Sequence, residues 1–203
     1  MASQPGSVTV FAMPPRRRKF GPSQKERIFF AVVPDEAAAA RIYAMAEKLK
    51  VQHGFTGTLI LPEHLHVTLY HLGDWHALPT EIVKAASEAA ANVTSPPAEV
   101  TFTRTESFRN STGVFPFVMT GDKQWTAWRP LYTALGVALT KAGLGGATKG
   151  EFQPHVTLVY DEIRCKPAPI APPISWTVRD FVLIHSVLGK TTHHHLGRWP
   201  LKP

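Results

Sequence analysis

The tetrapeptide His-Val-Thr-Leu occurs twice in the 203-residue chain, as His66-Val67-Thr68-Leu69 and as His155-Val156-Thr157-Leu158. Repetition of this kind marks two copies of one structural unit. On a strand a residue and its second neighbour share a face, so each copy would present an imidazole and a hydroxyl about 6–7 Å apart on one side. The Val and Leu of each copy then point the other way, into a core. Imidazole is the one side chain whose ordinary pKa, about 6.5, allows base chemistry in one copy and acid chemistry in the other near neutrality. Threonine adds a neutral donor for a phosphoryl oxygen, held on a stiff β-branched side chain. If the copies face each other across a cleft, His66 and His155 become an acid/base pair around an anion, with Thr68 and Thr157 as its phosphate ligands. Such a scheme calls for no metal and no cofactor, and the spacing leaves open which histidine is the base.

The elements that must position these residues follow from pattern. The run Ile28–Val33 predicts a buried strand, and Pro34-Asp35 opens a helix through Lys50 with Ala39, Ile42, Tyr43, Ala46 and Leu49 near helical spacing. A short strand over Gly57–Leu61 leads into the first motif, and Thr80–Asn92 predicts a helix capped by Thr80. Glu99–Ser107 and Val114–Thr120 predict strands joined by a turn at 110–113. Trp125–Ala142 predicts a helix whose regular part starts near Arg129 because of Pro130, and Gly145–Gln153 a loop into the second motif. The prolines of Lys166–Pro173 predict a loop, followed by a strand within Ile174–Leu188 and a last strand over Thr191–Arg198.

Leu65-His66-Val67-Thr68-Leu69 with Leu72-Gly73 behind it, and Phe152-Gln153-Pro154-His155-Val156-Thr157-Leu158, resemble the paired signatures of the 2H phosphoesterase superfamily. Within it the chain is most similar to the RNA 2′,3′-cyclic phosphodiesterases, also called the 2′-5′ RNA ligase family. The resemblance spans roughly Arg27 to Leu201, with an opening strand Arg27–Val33 and a late strand Trp176–Ser186. It implies an α+β fold of two lobes related by a pseudo-twofold axis, with antiparallel sheets lining a central groove and helices outside. It also implies hydrolysis of RNA or nucleoside 2′,3′-cyclic phosphates to 2′-phosphomonoesters, and in some members reversible joining of RNA ends through a 2′-5′ bond. By motif position His66 and His155 take the acid/base roles and Thr68 and Thr157 bind the phosphate. Many relatives carry an Arg shortly after the second motif. This chain reads Val159-Tyr160-Asp161 there, which makes Tyr160 the residue placed to stack on or hydrogen-bond a nucleotide. Two other readings stay open: a non-catalytic RNA- or nucleotide-binding module, and a 2H phosphodiesterase acting on 2′-5′ oligoadenylate or another cyclic nucleotide.

Composition agrees with this picture. Hydrophobic residues at 44% against 18% charged mark a globular chain, read as one two-lobed domain over residues 26–203. A formal charge of +7 favours a polyanionic partner, here RNA ends or small nucleotides, with no obligate protein partner and a monomeric state. Part of that charge is Arg16-Arg17-Arg18-Lys19, in a Pro- and Gly-containing stretch, residues 1–25, that reads as a flexible basic arm. Arg104 is a further phosphate-binding candidate, since a guanidinium clamps phosphate through two hydrogen bonds. The single cysteine, Cys165, excludes an internal disulfide, and its neighbours Arg164 and Lys166 predict a lowered thiol pKa. No run approaches about 18 apolar residues, which predicts no membrane span and a cytoplasmic protein. His193-His194-His195 looks like a metal-ligand run, but neighbours on a strand alternate faces, so it reads as a strand with surface histidines.

Overall fold

The computed structural model describes residues 25–121, 125–190 and 192–202; the Arg16–Lys19 cluster and the remainder of the expected arm up to residue 24 lie outside the described residues. The chain runs through β1 (Glu26–Val32), α1 (Glu36–His53), a 3₁₀ turn (Pro62–His64), β2 (Val67–Trp75), α2 (Thr80–Ala91), β3 (Ala98–Ser107) and β4 (Phe115–Thr120). It continues through α3 (Trp125–Lys141), a second 3₁₀ turn (Gly145–Thr148), β5 (His155–Asp161), β6 (Ala168–Val178), β7 (Asp180–Val187) and β8 (Thr192–Pro200). The described strands form one antiparallel sheet in the order β6-β3-β4-β5-β2-β1-β7-β8, so the expected α+β architecture is present.

The two motif strands, β2 and β5, are central neighbours. Four strands lie on the first-motif side of that seam and four on the second, and the two sets are joined at a single register pair, Val67 opposite Val156. Helices α1, α2 and α3 cover one face of both sets. Ile28, Phe30, Val67, Leu69, Phe102, Phe117, Val156 and Leu158 join Ile42, Ala86, Leu135 and Leu139 in one continuous core there. Only Arg179 separates β6 from β7, although they stand six places apart in the sheet. The sheet must therefore bend until its two halves approach, and a bridge between Ser95, just before β3, and Lys202, just after β8, joins them. The face that the helices leave open is the groove face.

Local chemistry sets the element ends. The Asp35 carboxylate accepts the Ala38 N–H at 2.7 Å, capping α1, and Gly54 closes it in the left-handed region at φ 70°. Several expectations need correction. Thr80 is the first residue of α2 and does not cap it; Pro79 occupies the cap position without a side-chain bond. Helix α3 already begins at Trp125 and accommodates Pro130. The segment 57–61 forms one isolated bridge, Leu59 to Val159, instead of a strand. Most of the proline-rich segment is strand: Pro169, Pro172 and Pro173 belong to β6, an edge strand, and Pro172 and Pro173 fall in the register break between the pairs Phe102–Ile174 and Arg104–Pro169, where no ladder bond is lost. The late strand expected from Trp176 to Ser186 is two strands, broken at Arg179 and carried to opposite halves of the sheet. Among the described residues no helix is long and apolar enough to cross a membrane.

Candidate active site

The register at the seam fixes where the motif side chains stand. With Val67 opposite Val156 in an antiparallel pair, His66 lies across from Thr157 and Thr68 from His155, all four on the groove face. The two histidines are then diagonal neighbours across the seam, a separation of about 7–8 Å with the β-carbons somewhat closer. Val67 and Val156 are fully buried on the opposite face, which holds this orientation.

Both imidazoles are aimed by the same device. Nδ1 of His66 donates to the carbonyl of His64 at 2.7 Å, and Nδ1 of His155 donates to the carbonyl of Gln153 at 2.7 Å. A carbonyl accepts only, so Nδ1 carries the proton in each ring and, in the neutral ring, Nε2 is the acceptor nitrogen. Burial disfavours the charged ring and is the main reason the His66 pKa is pushed down to about 4. The bond to the His64 carbonyl opposes this; the positive charges of His155, His64 and Arg27 add to it. His155 is also lowered, by burial against the opposing bond to Gln153.

A shared irregularity shapes what lies beyond each motif. Between Thr68 and Tyr70 the pairing with β1 skips Leu69, and between Thr157 and Val159 the pairing with β4 skips Leu158. Each motif leucine is thus the extra residue of a β-bulge, and the alternation of faces resets after it. Tyr70 and Val159 turn into the core at 4% and 1% exposure, while His71 and Tyr160 come to the groove face. Tyr160, expected near the nucleotide, is 51% exposed there.

The two flanks of the seam differ. On the first-motif side the floor is apolar: Phe29, Ala31, Val182 and Ile184 pack with Val33. Beyond it Arg27 forms a two-point pair with Asp74, at 2.8 and 3.0 Å, and His71 binds the same carboxylate at 3.0 Å. Burial raises the Asp74 pKa, but these bonds to His71 and Arg27 prevail and hold it well below the usual carboxylate range. On the second-motif side Thr120 stands opposite His155, and Arg104 opposite Thr120. Arg104 Nε donates to Thr120 Oγ1 at 3.3 Å, and that hydroxyl donates to Glu106 at 3.2 Å. Arg104 is therefore on the groove face, one strand beyond the neighbour of His155.

His193, which reads from the sequence as a surface histidine of a strand, is in β8 but packs beside the first motif. Its ring centroid lies 4.7 Å from that of His64, 5.5 Å from His66 and 5.9 Å from Phe29. Burial, with the charges of His66, His64 and His195, pushes its pKa down to about 4. Alternation correctly separates it from His194, which packs against His185 on the other face. Its face was settled only by the ladder Arg27–Ser186–His193 across three strands. Among the described residues no set of three His, Cys, Asp or Glu side chains is arranged to hold a metal ion. Cys165 reverses its expectation: burial, helped by the charge of Asp161, raises its pKa.

Asp161 ties the first-motif approach to the second-motif strand. Its carboxylate accepts the N–H groups of Ile163, Gly57 and Thr56, which hold its pKa below the usual range. A β-carbon on Gly57 would lie 2.1 Å from the Tyr160 carbonyl oxygen. Gly57→Ala is expected to lift the 54–61 segment off β5 and destabilise the protein by about 1–3 kcal/mol. Thermal unfolding followed by circular dichroism checks this; an unchanged midpoint would show that the segment has slack.

Comparison with known proteins bears directly on this arrangement. The family model of the 2′-5′ RNA ligase superfamily matches residues 33–190, which contain both motifs and the seam. The chain belongs to this 2H phosphoesterase family. Three crystal structures share its fold. A protein described as a phosphoesterase is 23% identical at a TM-score of 0.67, with 88% of this chain and 99% of that one covered. LigT of E. coli in its apo form is 24% identical at 0.65, covering 89% and 100%. TT0787 of Thermus thermophilus is 22% identical at 0.66, covering 86% and 97%. No curated protein sequence matches significantly.

Proposed function

We propose that this 2H phosphoesterase family member hydrolyses 2′,3′-cyclic phosphates, at RNA ends or on nucleosides, to 2′-phosphomonoesters, using its two motif histidines and no metal. The observation that carries the reading is the mirrored pair of imidazoles, each with Nδ1–H tied to a backbone carbonyl two residues earlier and Nε2 turned to one shared groove. Burial biases both rings towards the neutral form, His66 down to about 4, and in this reading His66 is the neutral partner and His155 holds the proton. That makes His66 the base and His155 the acid. His66 Nε2 takes a proton from water as the water oxygen bonds to phosphorus; the P–O3′ bond breaks, and His155 Nε2–H protonates the departing O3′. Thr68 and Thr157 donate to the two non-bridging oxygens. With an RNA 5′-hydroxyl in place of water, the same two transfers give a 2′-5′ linkage.

Known complexes support a nucleotide-sized ligand: LigT has been crystallised with phosphate and with 3′-AMP. The test is a panel of nucleoside 2′,3′-cyclic phosphates and 2′-5′-linked dinucleotides assayed in EDTA, with products identified by phosphorus NMR. A 2′-phosphate product is expected; a 3′-phosphate, or loss of activity on chelation, would overturn the proposal. Hydrolysis of the 2′-5′ dinucleotides alone would favour the oligoadenylate reading, and binding without turnover the non-catalytic one. Thr68→Val and Thr157→Val, each isosteric but lacking the donor, are each expected to lower kcat by about 10²-fold, read from initial rates on the preferred substrate.

A further inference from the structure

We propose that Phe108 is the platform on which the substrate's nucleobase stacks, so that the base lies over the second-motif half of the groove; this rests on the phosphoesterase reading above and names the substrate class as nucleotides recognised through their base. Phe108 follows β3 directly and is held by its N–H bond to the Pro116 carbonyl at 2.9 Å. Its ring meets that of His155 edge to face, with centroids 4.9 Å apart and planes at 64°. It is partly exposed and belongs neither to the buried core nor to the side chains packed against it. The ring beside the other motif histidine, Phe29, is only 4% exposed and sealed into the groove floor with Ala31, Val182 and Ile184. Among the described residues two phenylalanines meet the motif imidazoles, and of these Phe108 offers an aromatic surface to a ligand.

The surroundings suit a base. Arg104 and Glu106 precede Phe108 at two-residue spacing, and the register places both on the groove face. They supply a guanidinium donor and a carboxylate acceptor along the edge of the platform, bridged by Thr120 Oγ1. Tyr160, opposite the same Pro116 that anchors Phe108, stands on this face as well. Stacking on an aromatic face tolerates any base, whereas the Arg104–Glu106 edge can discriminate among bases by hydrogen bonding.

The test uses the full chain and needs no turnover. Titration calorimetry compares adenosine 2′-monophosphate with inorganic phosphate for the wild type, Phe108→Ala, Phe108→Leu and Phe108→Trp. Removing the stack is expected to weaken nucleotide binding by about 5–150-fold in the Ala and Leu variants, leave phosphate binding unchanged, and be reversed by Trp. Leu keeps the side-chain bulk, so it separates lost stacking from lost support of His155. Unchanged nucleotide affinity in the Leu variant, or equal weakening for phosphate and nucleotide, would overturn the assignment. If the wild type binds the nucleotide in this Phe108-dependent way yet hydrolyses no cyclic phosphate, the reaction reading fails while the base platform stands.

Discussion

Replacing either His66 or His155 with Ala is expected to lower kcat on a nucleoside 2′,3′-cyclic phosphate by about 10²–10⁴-fold without altering the far-ultraviolet circular dichroism. Each ring is held by one bond to a backbone carbonyl and by ring contacts, and neither bridges core elements, so the fold does not depend on it. The double variant is expected to be little worse than the poorer single one. A base without its acid still leaves O3′ unprotonated, and residues that act as a unit do not add. Near-normal turnover by His66→Ala would remove the acid/base pair from the account altogether.

The pH dependence is the second large effect. In the free protein the active form has His66 neutral and His155 protonated. His66 stays neutral down to about pH 4, so the acid limb of kcat/KM is expected there and not near the ordinary histidine value. The His155 pKa is also lowered, so the alkaline limb, and with it the maximum, falls on the acid side of the ordinary value, about 6.5. Bound substrate carries a negative charge that favours protonated His155, so the kcat profile should lie at higher pH than that of kcat/KM. Initial rates across pH 4–8.5 check both statements, and coincident profiles would argue against charge coupling at the groove.

The same depressions make a stability prediction. A histidine whose folded pKa lies below its unfolded one binds more protons when unfolded, so stability rises with pH through that interval. For His66 and His193 the interval runs from about 6.5 down to about 4. The unfolding midpoint is expected to fall as pH drops through it. Asp74 and Asp161, both depressed, lose their contributions only as pH falls below their unfolded value, about 3.8. A flat midpoint between pH 6.5 and 4.5 would contradict the burial of the two imidazoles.

Some of this was legible in the sequence because it is local. The repeated tetrapeptide states which four side chains share a face within each strand, and period-two alternation needs no tertiary contact to operate. Apolar periodicity likewise found α1 and the β1 strand to within a few residues. The proline-rich segment defeated the same reasoning, because whether a missing N–H is costly depends on having a ladder partner there, and Pro172 and Pro173 fall where the pairing of β6 with β3 skips.

What the chain could not declare along its length is everything set by pairing between distant segments. The meeting of Val67 with Val156, which turns two separate motifs into one site, is a register across 89 residues (156 − 67). The bulges at Leu69 and Leu158 arise from partners on β1 and β4; simple alternation would have sent Val159 to the groove and Tyr160 to the core. His193 joined His66 only through a three-strand ladder. Residue type and local period set which chemistry each strand can present. Non-local hydrogen-bond register, and the bend forced where Arg179 links opposite halves of the sheet, decided which of those presentations share one groove.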